Sequence, residues 1–323
     1  MQNASLSVVI PVYNSEGSIA AVVARLVPVL EAENVPFEII LVNDGSRDRS
    51  GDVISRLTCE RSDVLAINLS RNYGQHNALL CGIRAARYAM IVTLDDDLQH
   101  PPEEIPKLLR KLGEGYDVVY GTAEREPHGF WRGAASRLTK WVLARVMGAQ
   151  AGAGVSAFRA FRTSLRDTFQ DYRSPHVLID VLLAWGTARF ASVPVPHHPR
   201  RIGASNYSFR RLVAHAAHLL TGFSTLPLRL ASWVGFASVV FGLFVLVWVL
   251  GNYAMYGTSQ PGFPFLASII AIFAGAQLFA LGILGEYVGQ IHGRLMEKPT
   301  YVIRSKLGTP GETSDYNAWE RAA

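Results

Sequence analysis

The chain has 323 residues, enough for two structural units or for one domain with an appendage. Charged residues make up 18% of it and the net charge is +5, yet residues 230–285 contain no Asp, Glu, Lys, Arg or His. This block excludes a protein that is soluble throughout, and the ordinary polarity of the remainder excludes a disordered chain or a pure membrane channel. Two cysteines, Cys59 and Cys81, are too few to indicate a disulfide framework and favour a reducing compartment for the soluble part.

The first part of the chain alternates between strand-like apolar runs and stretches with apolar residues at helical spacing. The predicted strands and helices, in order, are residues 6–11, 18–32, 37–42, 48–60, 64–69, 76–87 and 90–94. Repeated units of this length predict an α/β domain with a mostly parallel, Rossmann-like sheet covered by helices. Ligands bind at the carboxyl ends of such strands, where this chain places most of its unusual polar groups.

Three consecutive acids, Asp95 to Asp97, follow the fourth predicted strand. Strand alternation would send Asp95 and Asp97 to the same side, where two carboxylates repel each other unless a cation lies between them. Mg²⁺ or Mn²⁺ suits such hard oxygen ligands, and Gln99 would add a carbonyl oxygen. The alternative is a solvated acidic loop that precedes the helix beginning near residue 101, and spacing alone does not decide between the two.

Two common nucleotide motifs do not occur. No G-x-G-x-x-G motif follows the first predicted strand, which disfavours ordinary dinucleotide binding. No G-x-x-x-x-G-K-[ST] motif occurs in the sequence, which disfavours P-loop phosphoryl transfer. The pI of about 9.3 points to an anionic lipid or a phosphorylated substrate. We expect no nucleic-acid partner, because no patch of interleaved basic and aromatic residues is present.

The second part of the chain has the character of a membrane segment. Residues 207–226 fit an amphipathic helix lying in the membrane interface, or equally an ordinary helix packed on the soluble domain. Residues 231–256 and 263–284 are each long enough to span a bilayer. A buried hairpin of a soluble domain is the alternative, but such helices usually keep a polar edge.

Flanking charge predicts the orientation of these spans. Basic residues precede the first span and follow the second, while the turn at residues 257–262 has none. By the positive-inside rule both termini are cytoplasmic, which predicts a multi-pass protein of the bacterial inner membrane. The predicted parts are a catalytic domain at 1–205, an amphipathic helix at 206–228, a two-helix hairpin at 229–286 and a cytoplasmic tail at 287–323.

Four motifs at the strand ends carry a resemblance to a known family. They are VIPVYNSE at 9–16, NDGSRD at 43–48, RNYG at 71–74 and DDDLQ at 95–99. In this order they resemble inverting family-2 glycosyltransferases with the GT-A fold. Together with GASNYS at 203–208 and the paired spans, they resemble membrane polyprenyl-phosphate glycosyltransferases. RNYGQH and LQHPPEEIP are most similar to the subgroup that transfers a formamido-arabinose sugar to undecaprenyl phosphate.

The resemblance implies roles for individual residues. Asp95 would hold the donor diphosphate, Asp97 the metal, and Gln99 would be a further metal ligand. The residues implied for the nucleotide-sugar pocket are Pro11, Tyr13, Glu16, Asn43, Asp44, Asp95 and Asp96. Those implied for the acceptor phosphate are Arg125, Arg132, Arg200 and Ser205, although a solvated basic face explains Arg125 and Arg132 nearly as well.

This chain departs from the family pattern at three positions. Asn43 and Asn206 stand where relatives usually have an acid and a lysine, and the stretch around Ala153 lacks the acid that relatives often show there as a proposed base. A phosphate monoester is already largely an anion at neutral pH, so a lipid-phosphate acceptor needs no base. Asp180 is the reserve candidate if one is required.

These observations predict inverting transfer of a sugar from a UDP-sugar to undecaprenyl phosphate, for envelope glycan or lipid A modification. One alternative is a processive polysaccharide synthase, disfavoured because no Q-x-x-R-W motif occurs and two spans are few for a polymer channel. Another is a membrane-anchored nucleotide-sugar-binding protein that has lost catalysis. Resemblance to the family also implies a homo-oligomer, specifically a tetramer.

Overall fold

The computed structural model describes residues 5–123, 154–174, 177–197, 226–256 and 262–308. The chain divides into two units, and the first combines Met1–Asn206 with Glu297–Ala323. Tyr207–Met296 forms the second unit. The segment after residue 296, which sequence analysis treats as a tail, therefore contributes to the same unit as the N-terminal part of the chain.

The first unit is built on one eight-stranded sheet. Its strands are β1 (Leu6–Val12), β2 (Phe37–Asn43), β3 (Val64–Leu69), β4 (Met90–Thr93), β5 (Val118–Ala123), β6 (Arg159–Arg162), β7 (Phe190–Val195) and β8 (Ile303–Leu307). The strand order is β7-β5-β6-β4-β1-β2-β3-β8. The pairs that β1, β2, β3 and β4 form with one another are all parallel. β8 runs antiparallel to β3, and β6 runs antiparallel to β4 and β5. The prediction of a mostly parallel sheet is confirmed.

Helices cover the sheet, and two long helices form the second unit. The helices are α1 (Ile19–Ala32), α2 (Ser50–Glu60), α3 (Gln75–Ala85), α4 (Ile105–Gly113), α5 (Ile179–Gly186), α6 (Leu226–Tyr256) and α7 (Phe263–Leu295). Short 3₁₀ turns occupy Pro102–Glu104 and Thr163–Phe169. The first three predicted helices match α1, α2 and α3 to within two residues at each end.

The central strand β1 explains why the core forms where it does. All seven of its residues are buried, which is characteristic of a parallel strand covered on both faces. Helix α3 packs tightly on one of these faces at Gly82, where an added Cβ would lie 2.3 Å from Cγ1 of Val9. A glycine is therefore needed at this position, because any larger residue would displace the helix from the sheet.

Many apolar side chains of the two helices in the second unit are exposed. Leu228–Val249 and Ile272–Leu295 are long and apolar enough to cross a membrane, and Ala231 is the one buried residue among those whose side chains are described there. The two helices contact each other, and a Cβ on Gly242 would lie 3.1 Å from Cζ of Phe273. Helix α7 extends nine residues beyond the predicted boundary at 286.

Candidate active site

The loops that follow β1, β2, β3 and β4 meet at the carboxyl edge of the sheet. The backbone N–H of Asn14 donates to Oγ of Ser46 over 3.1 Å, and the N–H of Arg47 donates to Oδ1 of Asn14 over 2.9 Å. Asn14 takes up a left-handed φ of 53°, which asparagine tolerates better than most residues. The first and second loops are thus joined by backbone groups, and the strand ends form one continuous polar edge.

The residues predicted for the nucleotide pocket at the end of β1 and on the first loop differ in their surroundings. Pro11 is buried opposite Val42, while the side chain of Tyr13 is 43% exposed at the edge. The carboxylate of Glu16 accepts the N–H of Arg49 over 2.9 Å, at the start of α2. Glu16 therefore stabilises a helix N-terminus, and Tyr13 is the side chain of the three that offers an exposed aromatic surface.

Asp44 joins the second loop to the third. It is 2% exposed, and its two carboxylate oxygens accept the N–H groups of Tyr73 and Gly74 over 2.7 and 2.8 Å. Burial raises the pKa of Asp44, and the two amide hydrogen bonds act in the opposite direction. The neighbouring Gly45 has a φ of 64°, and an added Cβ would lie 2.5 Å from the carbonyl carbon of Arg71. Only glycine permits this close approach.

The three consecutive acids do not lie on a strand. β4 ends at Thr93, and Asp96 and Asp97 form a turn that continues through Leu98 with a φ of 60°. The expectation that strand alternation orients Asp95 and Asp97 is wrong, because the regular strand ends before the first acid. The turn itself sets the direction of these side chains.

Within this turn the middle acid has a structural role. Oδ2 of Asp96 accepts the N–H of Tyr13 over 3.1 Å and also accepts the hydroxyl of Ser15. Burial raises the pKa of Asp96, and both hydrogen bonds oppose that shift. Asp96, predicted as a nucleotide-sugar contact, therefore connects the acidic turn to the first loop.

Asp95 and Asp97 are half-buried on the same turn. Oδ1 of Asp95 accepts a hydrogen bond from Nε2 of Gln75 over 2.7 Å, and Oδ1 of Asp97 accepts one from the backbone N–H of Gln99 over 3.1 Å. Among the described residues, no group of three or more His, Cys, Asp or Glu is arranged to hold a metal. The two carboxylates still fit Mg²⁺ or Mn²⁺, which are commonly held by one or two carboxylates together with substrate phosphates.

A buried histidine follows the acidic turn. His100 is 8% exposed, and its ring lies 5.5 Å from that of Phe158 and 4.9 Å from that of His197. Burial lowers the pKa of His100 to about 4, and the neighbouring His197 acts in the same direction. A neutral ring therefore packs beneath the turn at physiological pH. Sequence reasoning did not single out this residue, because its ring partners lie far along the chain.

Asp180, the reserve candidate for a base, is buried in an ion pair. It is 4% exposed, and its Oδ1 accepts a hydrogen bond from Arg159, which is itself 1% exposed. The same oxygen accepts the hydroxyl of Tyr120 over 3.0 Å, and Nε of Arg159 donates to Oγ1 of Thr93 over 3.0 Å. These contacts support a structural role for Asp180, in which it fixes the strand end that leads into the acidic turn.

The four residues predicted for the acceptor phosphate lie outside the described residues. They are Arg125, Arg132, Arg200 and Ser205. The same holds for Ala153 and Asn206, and for the predicted amphipathic helix up to residue 225. Their roles stay predictions.

The parallel sheet with an acidic turn at its ligand edge is that of a GT-A glycosyltransferase. Two crystal structures of glucosyl-3-phosphoglycerate synthase from Mycobacterium tuberculosis share this fold, with TM-scores of 0.51 and 0.50 at 21% identity. Each comparison covers 68% of this chain and 78% or 79% of the other. One of the two is a complex with Mn²⁺, uridine diphosphate and glucosyl-3-phosphoglycerate.

The chain belongs to glycosyl transferase family 2, whose family model matches residues 7–171. Curated relatives named undecaprenyl-phosphate 4-deoxy-4-formamido-L-arabinose transferase are similar over nearly the whole length. The relative from Proteus mirabilis is 36% identical over 94% of both chains. The relative from Shewanella sediminis is 37% identical over 94% of this chain and 92% of its own.

The buried ion pair yields a test of the role of Asp180. Asp180→Asn leaves the buried guanidinium of Arg159 without a counter-charge, so we expect the free energy of unfolding to fall by about 3–5 kcal/mol. The double variant Asp180→Leu with Arg159→Met removes both charges and is expected to recover most of that loss. Thermal unfolding in detergent measures both effects. A variant Asp180→Asn that is as stable as wild type but inactive would show that Asp180 acts in catalysis.

Proposed function

We propose that this chain transfers a sugar, with inversion, from a UDP-sugar to undecaprenyl phosphate at the cytoplasmic face of the inner membrane. One observation carries the proposal: a family-2 sheet with an acidic turn at its ligand edge occurs on the same chain as two candidate membrane spans. Relatives at 34–37% identity bear the name of an undecaprenyl-phosphate sugar transferase, which supports this acceptor. A role in envelope glycan or lipid A modification is part of the proposal.

The donor is assigned to the polar edge formed by the four loops. The exposed ring of Tyr13 suits the base or ribose, and Asp95 and Asp97 suit the diphosphate end through a cation. Asp97 would hold the metal with Asp95 and Gln99. Mg²⁺ or Mn²⁺ bound there would offset the negative charge that grows on the UDP leaving group.

The acceptor reaction needs no proton transfer. An oxygen of the lipid phosphate forms a bond to the anomeric carbon while the bond from that carbon to the donor diphosphate breaks. The second pKa of a phosphate monoester is about 6, so this oxygen is already anionic at neutral pH. Positioning and charge neutralisation then supply the rate enhancement. No base is needed for this reaction, which agrees with the place of Asp180 in a buried ion pair.

The sheet topology supports the proposed orientation in the membrane. The chain leaves the sheet after β7, passes through α6 and α7, and returns to the same sheet as β8 beside β3. Strands of one sheet lie on one side of a bilayer, so the chain must cross it an even number of times between them. Basic residues at both ends of the pair assign that side to the cytoplasm.

A transfer assay separates this proposal from its two alternatives. Purified protein with Mn²⁺ and a panel of radiolabelled UDP-sugars is expected to release sugar from UDP only when undecaprenyl phosphate is present. The product is a lipid carrying one sugar, because a single anionic acceptor is consumed. Polymer formation would instead indicate a processive synthase. Tight nucleotide binding without turnover of any donor would indicate a protein that has lost catalysis.

Cysteine labelling tests the orientation. Cys59 is exposed on α2, whereas Cys81 is buried, so the wild-type chain carries a natural reporter for the sheet domain. A membrane-impermeant maleimide should label Thr258→Cys in intact spheroplasts of a Cys59→Ser background. Wild-type Cys59 should react only after the membrane is permeabilised. Labelling of Cys59 in intact spheroplasts would reverse the proposed orientation.

A further inference from the structure

Three polar side chains lie side by side across neighbouring strands of the sheet. Asn43 on β2 is the register partner of Asn68 on β3, which in turn pairs with Ser305 on β8. Nδ2 of Asn43 donates to Oδ1 of Asn68 over 2.9 Å, and Nδ2 of Asn68 donates to Oγ of Ser305 over 3.1 Å. We call these three residues the cross-strand relay. It runs from the second loop to the strand that follows the membrane helices.

A backbone group fixes the direction of this relay. The N–H of Ser46 donates to Asn43 over 3.0 Å, and because an N–H can only donate, the atom it meets is Oδ1. Nδ2 of Asn43 must then face Asn68, whose own Nδ2 must face Ser305. Each amide group in the relay therefore has one orientation that satisfies all its neighbours.

The relay ends where the donor is proposed to bind. Ser46 accepts the N–H of Asn14, so the residue that orients the relay also joins the first and second loops. Asn43 is 9% exposed and immediately precedes Asp44, which fixes the third loop. A shift of β8 would thus be transmitted to three of the four loops at the edge.

The position of β8 is also fixed independently of the relay. The N–H of Ser70 donates to the carbonyl of Val302 over 2.9 Å, and β8 pairs with β3 from residue 303 to residue 307. β8 begins only eight residues after the end of α7. The donor edge is therefore completed by a segment that the chain makes after its membrane helices.

We propose that Asn43, Asn68 and Ser305 are positioning residues for donor binding, and that β8 completes the nucleotide site by holding the second loop. The proposal rests on the proposed function, since it assumes a nucleotide at this edge. It adds that the segment after the membrane helices sets donor affinity. The acceptor is not affected, because the relay contacts only the donor-side loops among the described residues.

Acid substitutions test the relay, because a carboxylate accepts hydrogen bonds but does not donate them. In Asn43→Asp, Asn68 turns its amide around and accepts from the hydroxyl of Ser305. In Asn68→Asp, the carboxylate accepts from both neighbours. Each single variant keeps a complete set of hydrogen bonds and is therefore expected to weaken donor binding less than the double variant does. While both carboxyl groups are ionised, the double variant places two acceptors against each other and has no arrangement that restores the relay.

The experiment uses full-length protein in detergent with saturating Mn²⁺, and it measures UDP affinity by calorimetry and KM for each substrate. The double variant is expected to raise the Kd for UDP and the donor KM about tenfold or more, beyond the product of the single effects. Its kcat and its KM for undecaprenyl phosphate should change less than about threefold. Arg304→Ala, an exposed neighbour on β8, is the matched control and should leave all four quantities unchanged.

The outcomes distinguish the two proposals. Failure of wild-type protein to bind UDP refutes the proposed donor, and the relay proposal fails with it. If wild type binds UDP and the double variant binds it equally well, the relay proposal is refuted and the proposed donor stands. If the double variant does not fold, hydrogen exchange of residues 43–47 in Ser305→Val decides. Faster exchange confined to that loop supports the relay, and unchanged exchange overturns it.

Discussion

The site depends on one constraint, which is that four loops leaving a parallel sheet must satisfy their backbone N–H groups at a single edge. Two carboxylates, the buried Asp44 and the half-buried Asp96, meet this requirement. Asp44 accepts two N–H groups of the third loop, and Asp96 accepts one from the first. Hydrogen bonds to a charged acceptor are among the stronger ones, so these acids hold the edge in a single arrangement. The remaining acids of the turn, Asp95 and Asp97, are then presented at a fixed place for a donor.

This division of roles among neighbouring acids was only partly predictable from sequence. Strands β1, β2, β3 and β4 were predicted because their apolar runs are nearly continuous. The position of the acids at the ligand edge followed from that pattern. Their individual roles did not, because the partners of Asp44 and Asp96 lie 29 and 83 residues away along the chain. The argument from strand alternation for Asp95 and Asp97 also failed, since the regular strand ends at Thr93 and both acids lie beyond it.

Short polar strands were missed for a different reason. β6 reads RAFR and β8 reads IRSKL, and neither has the apolar content that marks a strand in sequence. β8 forms because the exposed edge of β3 offers it backbone partners, which is a property of the folded sheet. The ion pair of Arg159 and Asp180 depends on β6 in the same way. The return of the chain to the sheet as β8 and the buried pair of Arg159 and Asp180 therefore both depend on tertiary structure.

The central claim is that a divalent cation links the acidic turn to the diphosphate of a nucleotide sugar. The most direct measurement is the affinity for UDP of wild type and Asp97→Asn, with Mn²⁺ and with a chelator, using the exposed acid variant Asp167→Asn as control. The account predicts that chelation weakens UDP binding by wild type at least ~100-fold, as expected for the loss of several kcal/mol of charge neutralisation. It also predicts that Asp97→Asn binds weakly whether or not Mn²⁺ is present. Equal UDP affinity with and without the metal, or unchanged Mn²⁺-dependent binding by Asp97→Asn, would contradict it.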